Sequence, residues 1–467
     1  MRANCSFLVC SARVGSLTCL IVLSCGVAAP VWAQGYSLYQ QGSCAMGRAG
    51  AGVASPCDDG SAIFFNPAGL ASARATILSV GATAVPPRGT FTDDIGKVSA
   101  LNTSTTFAPT IYFARPVGRR LTIGAGMFAP YGLASDWPAA SEGRFIGYYS
   151  SVKSVYVQPT VAMQLSDRIQ IGAGFDITYL SVELKNRLDL ASVPMPGAAG
   201  ATFQVLGVPS GTDFADLDLT GSGTTIGGHF GVIANASKRV SLGARYLMRQ
   251  TSHIKNGQLA TSEIPTGLAL RSALPGMPAG TPIDTVITPQ FTAGHALASQ
   301  SATTSLPLPD QLVMGTALRA TRQLTLFADY QFTNWSLFNE LDIHNQVAPE
   351  TTLPQKFVNT HGVRVAGEYE LARAITLRGG FDTYTAAAPD ESVTPVIPDA
   401  PRREYSVGAT IRTSGHTAID LAYQFVNQQN RRGRATDGGL AVPTSDLNNG
   451  TYHMYANMLG ASWSLRF

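Results

Sequence analysis

The residue types that most often carry out chemistry are scattered along this chain of 467 residues. Its seven histidines stand at dispersed positions, and no G-x-S-x-G nucleophile motif, metal-ligand spacing or phosphate-binding loop accompanies them. A hydrolase needs a nucleophile beside a base, and a metal enzyme needs ligands that converge. We therefore predict no catalytic residue, no metal and no cofactor, and we keep an enzyme of the lipase type as the weakest alternative.

The first 33 residues have the pattern of a signal peptide. A positively charged start and an uncharged apolar stretch precede Val31-Trp32-Ala33, which places small residues at positions −3 and −1 of a cleavage site. We predict a signal peptide over residues 1–33, with cleavage before Gln34. A lipoprotein signal with lipid on Cys25 is the alternative.

Cys44 and Cys57 are the two cysteines that remain after the signal peptide is removed. Disulfides persist in exported proteins, so we predict that this pair is bonded. The alternatives, a metal site or a reactive thiol, have no neighbouring histidine or second cysteine pair to support them.

The composition narrows the class of protein. Charged residues make up 13% of the chain, against about 25% in typical soluble domains. The formal net charge of +3 gives no basic excess, so we expect no nucleic-acid partner. Beyond the N-terminus no uninterrupted apolar stretch reaches the length of about 20 residues that a membrane helix needs. An unusual soluble β protein or a membrane β-barrel remains.

Alternation of apolar and polar residues predicts the fold. In one example Val155, Val157 and Val161 share a face, and Tyr156 and Gln158 take the other. Six predicted connections are very short and the seven between them are long, which is typical of an outer-membrane barrel. We predict an all-β, 14-stranded antiparallel transmembrane β-barrel over residues 76–467, in the cell outer membrane of a Gram-negative bacterium. The predicted strands are 76–84, 107–115, 121–130, 153–165, 168–181, 225–236, 239–252, 311–319, 322–333, 361–370, 374–384, 404–413, 416–426 and 451–467.

The last strand supports this prediction. Leu465 and Trp463 share a face with the terminal Phe467, and such a terminal phenylalanine resembles the assembly signal of bacterial outer-membrane barrels. An ordinary amphipathic last strand is the alternative.

The expected partners are the barrel-assembly machinery, the lipid and lipopolysaccharide of the outer membrane, and a hydrophobic small-molecule substrate. We expect a monomer.

A barrel of this size is wider than its own side chains can fill. Residues 34–75 are rich in glycine and alanine and precede the first strand, so we predict that they form an N-terminal plug. A flexible periplasmic tail is the alternative. Charged residues predicted to face the lumen should pair with each other and hold the plug: His229, Arg245, Asp329, Arg364, Glu368 and Arg378.

Two further features interrupt the pattern. The third predicted strand runs into Pro130-Tyr131-Gly132, where a proline and a glycine indicate either a gap in the wall or a simple turn. Residues 256–306 carry three charges, at Glu263, Arg271 and Asp284, and the loop after the fifth strand is apolar as well. Exposed apolar loops indicate a capture surface for a hydrophobic solute, or a cap formed by packing of the loops on each other.

These features resemble the FadL-type outer-membrane transporters of long-chain fatty acids and other hydrophobic compounds. The resemblance covers nearly the whole mature chain, because its motifs occur in the family's order. Those that resemble the family's plug, called the hatch, are Gly47-Arg48-Ala49, Asp58-Asp59 and Asn66-Pro67-Ala68. Those that resemble the third-strand kink and later landmarks are Tyr131-Gly132-Leu133-Ala134, Thr333-Asn334-Trp335-Ser336 and Ile397-Pro398-Asp399.

The resemblance implies a mechanism and site residues. It implies passive uptake, in which the substrate is captured between the two long loops, passes to a lumen pocket and is released laterally at the kink. It also implies that Asn66-Pro67-Ala68 lie against that kink. It places Arg187 and Lys356 near the family's contacts with a carboxylate, although Thr360 is an equally close equivalent of the second. Because this departs from the family's pattern, an aromatic hydrocarbon stays open beside a long-chain fatty acid. A general porin for polar solutes is the main alternative function.

Overall fold

The computed structural model describes residues 35–195, 201–271, 273, 277–433 and 448–467. The predicted signal peptide lies outside the described residues. Within the described part of the chain, no helix is both long and apolar enough to cross a membrane.

Fourteen antiparallel strands form a closed ring, and the first strand pairs with the last, with Ile77 opposite Arg466. The predicted barrel and its strand number are therefore confirmed. Closure leaves the sheet without an edge, which a membrane sheet requires because lipid cannot satisfy backbone groups. The wall strands are β1 Ile77–Val85, β2 Thr106–Val117, β3 Leu121–Phe128, β4 Tyr149–Gln164, β5 Ile169–Asp189, β6 Asp213–Asn235, β7 Val240–Leu247, β8 Gln311–Arg319, β9 Leu324–Thr333, β10 Thr360–Ala372, β11 Ile375–Tyr384, β12 Arg402–Arg412, β13 Thr417–Gln428 and β14 Gly450–Arg466.

The alternation of side chains fixes the two faces of the wall. On β5, Phe175 and Tyr179 are about half exposed on the outer face, at 49% and 51%, whereas Asp176 and Thr178 between them are buried. Successive residues of a strand point to opposite faces, so apolar side chains meet lipid and the rest meet the lumen.

Several elements are longer or more numerous than predicted. β5 and β6 extend well past their predicted ends, and pair as far as Asp189 and Asp213. The loops also contain strands of their own, because their backbones pair with the extended ends of the wall strands or with each other. The additional strands are Pro87–Asp93, Val98–Ala100, Gly132–Asp136, Gln250–Glu263, Gln300–Leu308, Glu340–Asn345, Thr351–Pro354 and Arg431–Arg432.

Short helices lie in the N-terminal segment and in the loops. The α-helices are Ser43–Met46, Ala62–Phe65 and Asp284–Ile287, and the 3-10 helices are Pro67–Ser72, Glu142–Phe145, Leu190–Ser192, Phe203–Leu206, Thr288–Phe291, Trp335–Leu337 and Asp390–Ser392.

Residues 35–75, called the N-terminal segment below, contact inward-facing glycines on different sides of the ring. A Cβ atom at Gly243 of β7 would lie 2.3 Å from the carbonyl oxygen of Val53, and one at Gly380 of β11 would lie 2.6 Å from the carbonyl carbon of Arg48. The segment therefore crosses the lumen, and the wall carries glycine where the two backbones approach most closely.

Candidate functional site

The third wall strand is interrupted in mid-course. β3 pairs with β4 up to Phe128 opposite Tyr156, and pairing resumes at Gly132 opposite Lys153. Residues 129–131 therefore lie opposite only two residues of β4, which is the geometry of a β-bulge. The bulge includes Pro130, which has no backbone N–H to give to a neighbouring strand.

On the side that faces β2, the interrupted strand has no wall strand as a partner beyond Met127 in the part of the chain that the structure describes. The pairing of β3 with β2 ends at Met127 opposite Ile111. Beyond that point, β2 continues to Thr106 with β1 as its only strand partner within the described residues 76–136. The wall between β2 and residues 128–136 is therefore not closed by a ladder of backbone hydrogen bonds.

The N-terminal segment occupies this position instead. Leu38 donates its backbone N–H to the oxygen of Pro130 at 2.8 Å, and Gly132 donates to the oxygen of Tyr36 at 2.9 Å. Ser37 and Tyr131 form an isolated antiparallel bridge between these two bonds. A short stretch of the segment thus pairs with the interrupted strand as a wall strand would.

Tyr131 points from the bulge into the lumen. Its backbone N–H donates to the hydroxyl of Ser154 at 3.1 Å, and its own hydroxyl donates to the oxygen of Pro309. Gln311 of β8 donates to the same hydroxyl at 3.1 Å. The side chain is 1% exposed, so it links the interrupted strand to the opposite side of the lumen.

An aromatic cluster surrounds the inner side of the bulge. The rings of Tyr36 and Trp335 lie 4.4 Å apart edge to face, and those of Phe64 and Phe128 lie 5.2 Å apart. An apolar interior with few polar groups is typical of sites that bind apolar small molecules. The aromatic members nearest the bulge are Tyr36, Phe128, Tyr131, Tyr156, Trp335, Phe338 and Phe357.

The inward-facing charges hold the N-terminal segment. Asp329 of β9 accepts the backbone N–H groups of Gly52 and Val53 at 2.7 and 3.0 Å. Arg378 and Glu368 form an ion pair at 2.7 Å. Asp329 therefore binds the N-terminal segment directly, whereas Arg378 and Glu368 pair with each other on the wall.

Three further predicted residues form one buried network. Arg245 contacts the ring of His229 at 3.4 Å and donates to the hydroxyl of Tyr39 in the segment at 3.1 Å. Arg364 lies over the same Tyr39 ring, with its guanidinium carbon 3.6 Å from the ring centroid. The cations are thus bound to the segment and not free in an open channel.

Asn66-Pro67-Ala68 do not lie at the interrupted strand, so that expectation is wrong. The Asn66 side chain donates to the oxygens of Val53 and of Val232 on β6 at 2.7 and 3.1 Å. A Cβ at Gly172 would meet Pro67 at 2.3 Å, and Gly172 pairs with Ala162. Ala162 is eight residues along β4 from Ser154, or about 26 Å at the usual strand rise.

Cys44 and Cys57 are joined by a disulfide, with their Cα atoms 6.3 Å apart. Arg48 donates to the sulfur of Cys57 at 2.6 Å, and burial lowers the pKa of its guanidinium. The two sulfurs and a carboxylate oxygen of Asp59 lie within 4.8 Å of one another. Sulfurs bonded to each other offer no thiolate, so this cluster is a cross-link and not a metal site.

The two predicted hatch carboxylates have separate roles. Asp59 accepts hydrogen bonds from the backbone and hydroxyl of Ser61, which orders the start of the helix Ala62–Phe65. Asp58 forms an ion pair with Arg466 of the last wall strand at 3.2 Å. Burial raises the pKa of Asp58, and the neighbouring Arg466 acts in the opposite direction.

The structure places Arg187 and Lys356 on different elements. Arg187, near the end of β5, forms an ion pair with Asp213 at the start of β6. Lys356 follows the short strand Thr351–Pro354 and is exposed. Their contact with a carboxylate stays a prediction.

The two long loops form a shared apolar cluster. Phe203 comes from the loop between β5 and β6 and Phe214 from the start of β6, whereas Leu270 and Ile287 come from the loop between β7 and β8. The rings of Phe214 and Phe291 lie 6.4 Å apart. The loops therefore pack on each other as a cap, and Val205, with 75% of its surface exposed, remains on the outside.

Comparison with known proteins shows which family and which relatives this chain is similar to. Residues 24–467 match the family model described as "Outer membrane protein transport protein (OMPP1/FadL/TodX)". The "47 kDa outer membrane protein" of Pasteurella multocida (strain Pm70) is 24% identical, over 94% of this chain and 96% of that protein. The "Long-chain fatty acid transport protein" of Escherichia coli (strain K12) is 23% identical, over 86% and 90%.

Solved structures share the fold. A FadL homologue from Pseudomonas aeruginosa superposes with a TM-score of 0.77 at 19% identity, and covers 93% of this chain and 100% of that one. The toluene transporter TodX of P. putida superposes with a TM-score of 0.65 at 16% identity, and covers 91% and 98%. The chain belongs to the outer membrane protein transport family (OMPP1/FadL/TodX), whose members are transport channels of the outer membrane and not enzymes.

Proposed function

We propose that this barrel carries hydrophobic small molecules, either long-chain fatty acids or aromatic hydrocarbons, passively across the outer membrane. The two long loops capture the molecule, the aromatic interior receives it, and it leaves sideways through the wall at residues 129–132. The names of two relatives support this substrate range, since one transports long-chain fatty acids and another transports toluene.

One observation carries the proposal. At the interrupted strand, the partner of Pro130 and Gly132 on the side away from β4 is the N-terminal segment and not a wall strand. The segment can leave this position without breaking any ladder between wall strands. The movement would exchange the backbone hydrogen bonds at Leu38 and Gly132 and the side-chain hydrogen bonds of Gln41 to Ala129, each with a net contribution of about 1 kcal/mol.

A general porin for polar solutes is the weaker candidate. A porin needs a continuous polar channel, whereas Arg245 and Arg364 in this lumen are bound to Tyr39 of the segment. A large steady single-channel conductance from the purified wild-type protein would favour the porin.

Replacement of Gly132 tests the lateral exit. A Cβ at this residue would lie 2.8 Å from Cδ1 of Leu38, so Gly132→Val should fill the gap and press on the segment. We expect loss of uptake of both a radiolabelled fatty acid and an aromatic hydrocarbon, with the heat-modifiable gel mobility of a folded barrel retained.

The matched control is Gly367→Val on β10. A Cβ there has Leu326 as its nearest neighbour at 3.7 Å, an ordinary contact distance, so uptake should stay at the wild-type rate. Wild-type uptake by a folded Gly132→Val protein would rule out this exit.

A further inference from the structure

Several buried polar side chains on the inner face of the wall have no hydrogen-bond partner within the described residues, and three of these lie on neighbouring strands. They are Asp176 with both carboxylate oxygens, Gln250 with both amide atoms, and Ser252 with its hydroxyl. Their exposures are 0%, 4% and 0%. Buried polar atoms without partners are rare in proteins and carry a free-energy penalty, so such a group calls for a specific explanation.

The three side chains are neighbours on adjacent strands. Asp176 of β5 pairs in register with Gly227 of β6, and a Cβ at Gly227 would lie 2.5 Å from the amide nitrogen of Gln250. The Gln250 side chain therefore lies flat over Gly227, beside Asp176. The hydroxyl of Ser252 lies in the same way over Gly223, 2.6 Å from where its Cβ would be.

This group lies beside the aromatic cluster and the interrupted strand. Asp176 is two residues from Thr178, which pairs in register with Tyr156 of the aromatic cluster. Gln250 pairs with Leu308, and Ser252 pairs with Leu306; both leucines are buried. The polar atoms thus form one small patch beside these two buried leucines.

The hydrogen-bonding groups of the patch favour one type of polar group, or head group, on an otherwise hydrophobic ligand. Asp176 accepts hydrogen bonds, while Gln250 and Ser252 both donate and accept them. Arg245 contacts His229, which pairs with Gly174 two residues from Asp176, and its terminal nitrogens also donate to Tyr39 and Gln311. A ligand carboxylate would meet the like charge of the Asp176 carboxylate, whereas a hydroxyl can donate to Asp176 and accept from Gln250.

We propose that Asp176, Gln250 and Ser252 form a head-group site for a neutral hydrophobic molecule that carries one hydroxyl, such as a phenol or an alcohol. The inference rests on the proposed function, because the molecule must enter the lumen to reach the patch. The site selects among hydrophobic substrates and takes no part in their capture at the loops.

Three probes of nearly equal size test the proposal: p-cresol, p-xylene and 4-methylbenzoate, which place a hydroxyl, a methyl or a carboxylate on the same methylated ring. Their radiolabelled uptake is measured in cells with and without the full-length protein. We expect p-cresol to half-saturate uptake at a concentration about tenfold lower than p-xylene, as one additional hydrogen bond of ordinary strength allows. Uptake of 4-methylbenzoate should be the slowest.

Two variants distinguish a ligand-binding role of these side chains from a purely structural role. Asp176→Leu combined with Gln250→Leu should raise the half-saturating concentration of p-cresol about tenfold, to the p-xylene value. It should leave p-xylene uptake unchanged and the unfolding temperature equal or higher, since unpartnered groups are removed. Asp176→Asn keeps the shape of the side chain and removes its charge, so it should increase uptake of 4-methylbenzoate. The control is Ser406→Ala, which removes an isolated unpartnered hydroxyl on β12 and should change nothing.

The outcomes distinguish the two proposals. Equal half-saturation by p-cresol and p-xylene in the wild type would overturn the head-group site and leave the proposed function standing. A lower unfolding temperature of the leucine variant with unchanged p-cresol uptake would show that the polar groups are structural, for example through buried water. Absence of protein-dependent uptake of every probe and of a long-chain fatty acid would overturn the proposed function itself.

Discussion

The side-chain amide of Gln41 makes both of the backbone hydrogen bonds that Ala129 would otherwise make with a neighbouring strand. Its nitrogen donates to the oxygen of Ala129 at 2.8 Å, and its oxygen accepts the N–H of Ala129 at 2.9 Å. The backbone oxygen of Gln41 also accepts the hydroxyl of Tyr112 on β2 at 2.8 Å. One residue of the N-terminal segment therefore joins the two sides of the gap in the wall.

Replacement of Gln41 should loosen the cover of this gap. Gln41→Ala leaves the N–H and C=O of Ala129 without partners, at a cost of about 1–3 kcal/mol for each buried group. We expect openings to become at least roughly tenfold more frequent, since about 1.4 kcal/mol corresponds to a factor of ten. Transient current steps in planar bilayers would measure this.

The matched control for that variant is Gln323→Ala, at an exposed turn between β8 and β9. It should conduct as the wild type does. Indistinguishable current records for Gln41→Ala and Gln323→Ala would show that Gln41 does not hold the gap closed.

The Cys44–Cys57 disulfide should keep the N-terminal segment compact. It closes a stretch with a sequence separation of 13, and a cross-link over a loop of that size stabilises by about 3 kcal/mol. Cys44→Ser with Cys57→Ser should therefore increase cleavage of the segment in limited proteolysis, while the barrel stays intact. Reduction of the wild type should have the same effect, and equal cleavage in the oxidised and reduced wild type would contradict this role.

Gly231 should be intolerant of any side chain because of Asn66. A Cβ at Gly231 would lie 2.0 Å from the side-chain oxygen of Asn66. Gly231→Ala should displace the segment from β6 and lower the unfolding temperature in differential scanning calorimetry. Gly379→Ala is the control, since its nearest neighbour would be 3.9 Å away. An equal decrease in the unfolding temperature of both variants would show that the contact between Gly231 and Asn66 has no special role.

The exposed surface of the loop cap should affect the capture of the substrate and not its transfer through the barrel. Val205→Asp places a charge on the exposed side of the apolar cap, so it should raise the half-saturating substrate concentration several-fold and leave the maximal uptake rate unchanged. Ile95→Asp is the control, because Ile95 is exposed at 90% on a different loop. Equal effects of the two substitutions would indicate a general effect of surface charge.

The sequence was sufficient to predict the wall and insufficient to predict the contacts across the lumen. Alternation such as that of Val155 to Val161 is a local property, because lipid and lumen impose it on every strand separately. The pairing of Gln41 with Ala129 depends instead on how the segment crosses the barrel. The β-prone pair Tyr36 and Tyr39 was the available signal that this part is extended.

The polar patch and the position of Asn66 could not be predicted for the same reason. Asp176 and Gln250 are far apart in the sequence, and only the register across Gly227 brings them together. Asn66 belongs to a motif that resembles the hatch, but its side chain binds backbone oxygens such as that of Val232 on β6. Such partners depend on the whole fold.

A reversible cross-link between Leu38 and Gly132 tests the lateral exit most directly. A Cβ at Gly132 would lie 2.8 Å from the Leu38 side chain, so Leu38→Cys with Gly132→Cys should form a disulfide that fixes the segment at the gap. Both single variants and the wild type, given the same oxidant and reductant, are the controls. Our prediction is that uptake of a hydrophobic substrate stops when this disulfide forms and returns when it is reduced. Equal uptake by the oxidised and reduced double variant would contradict it.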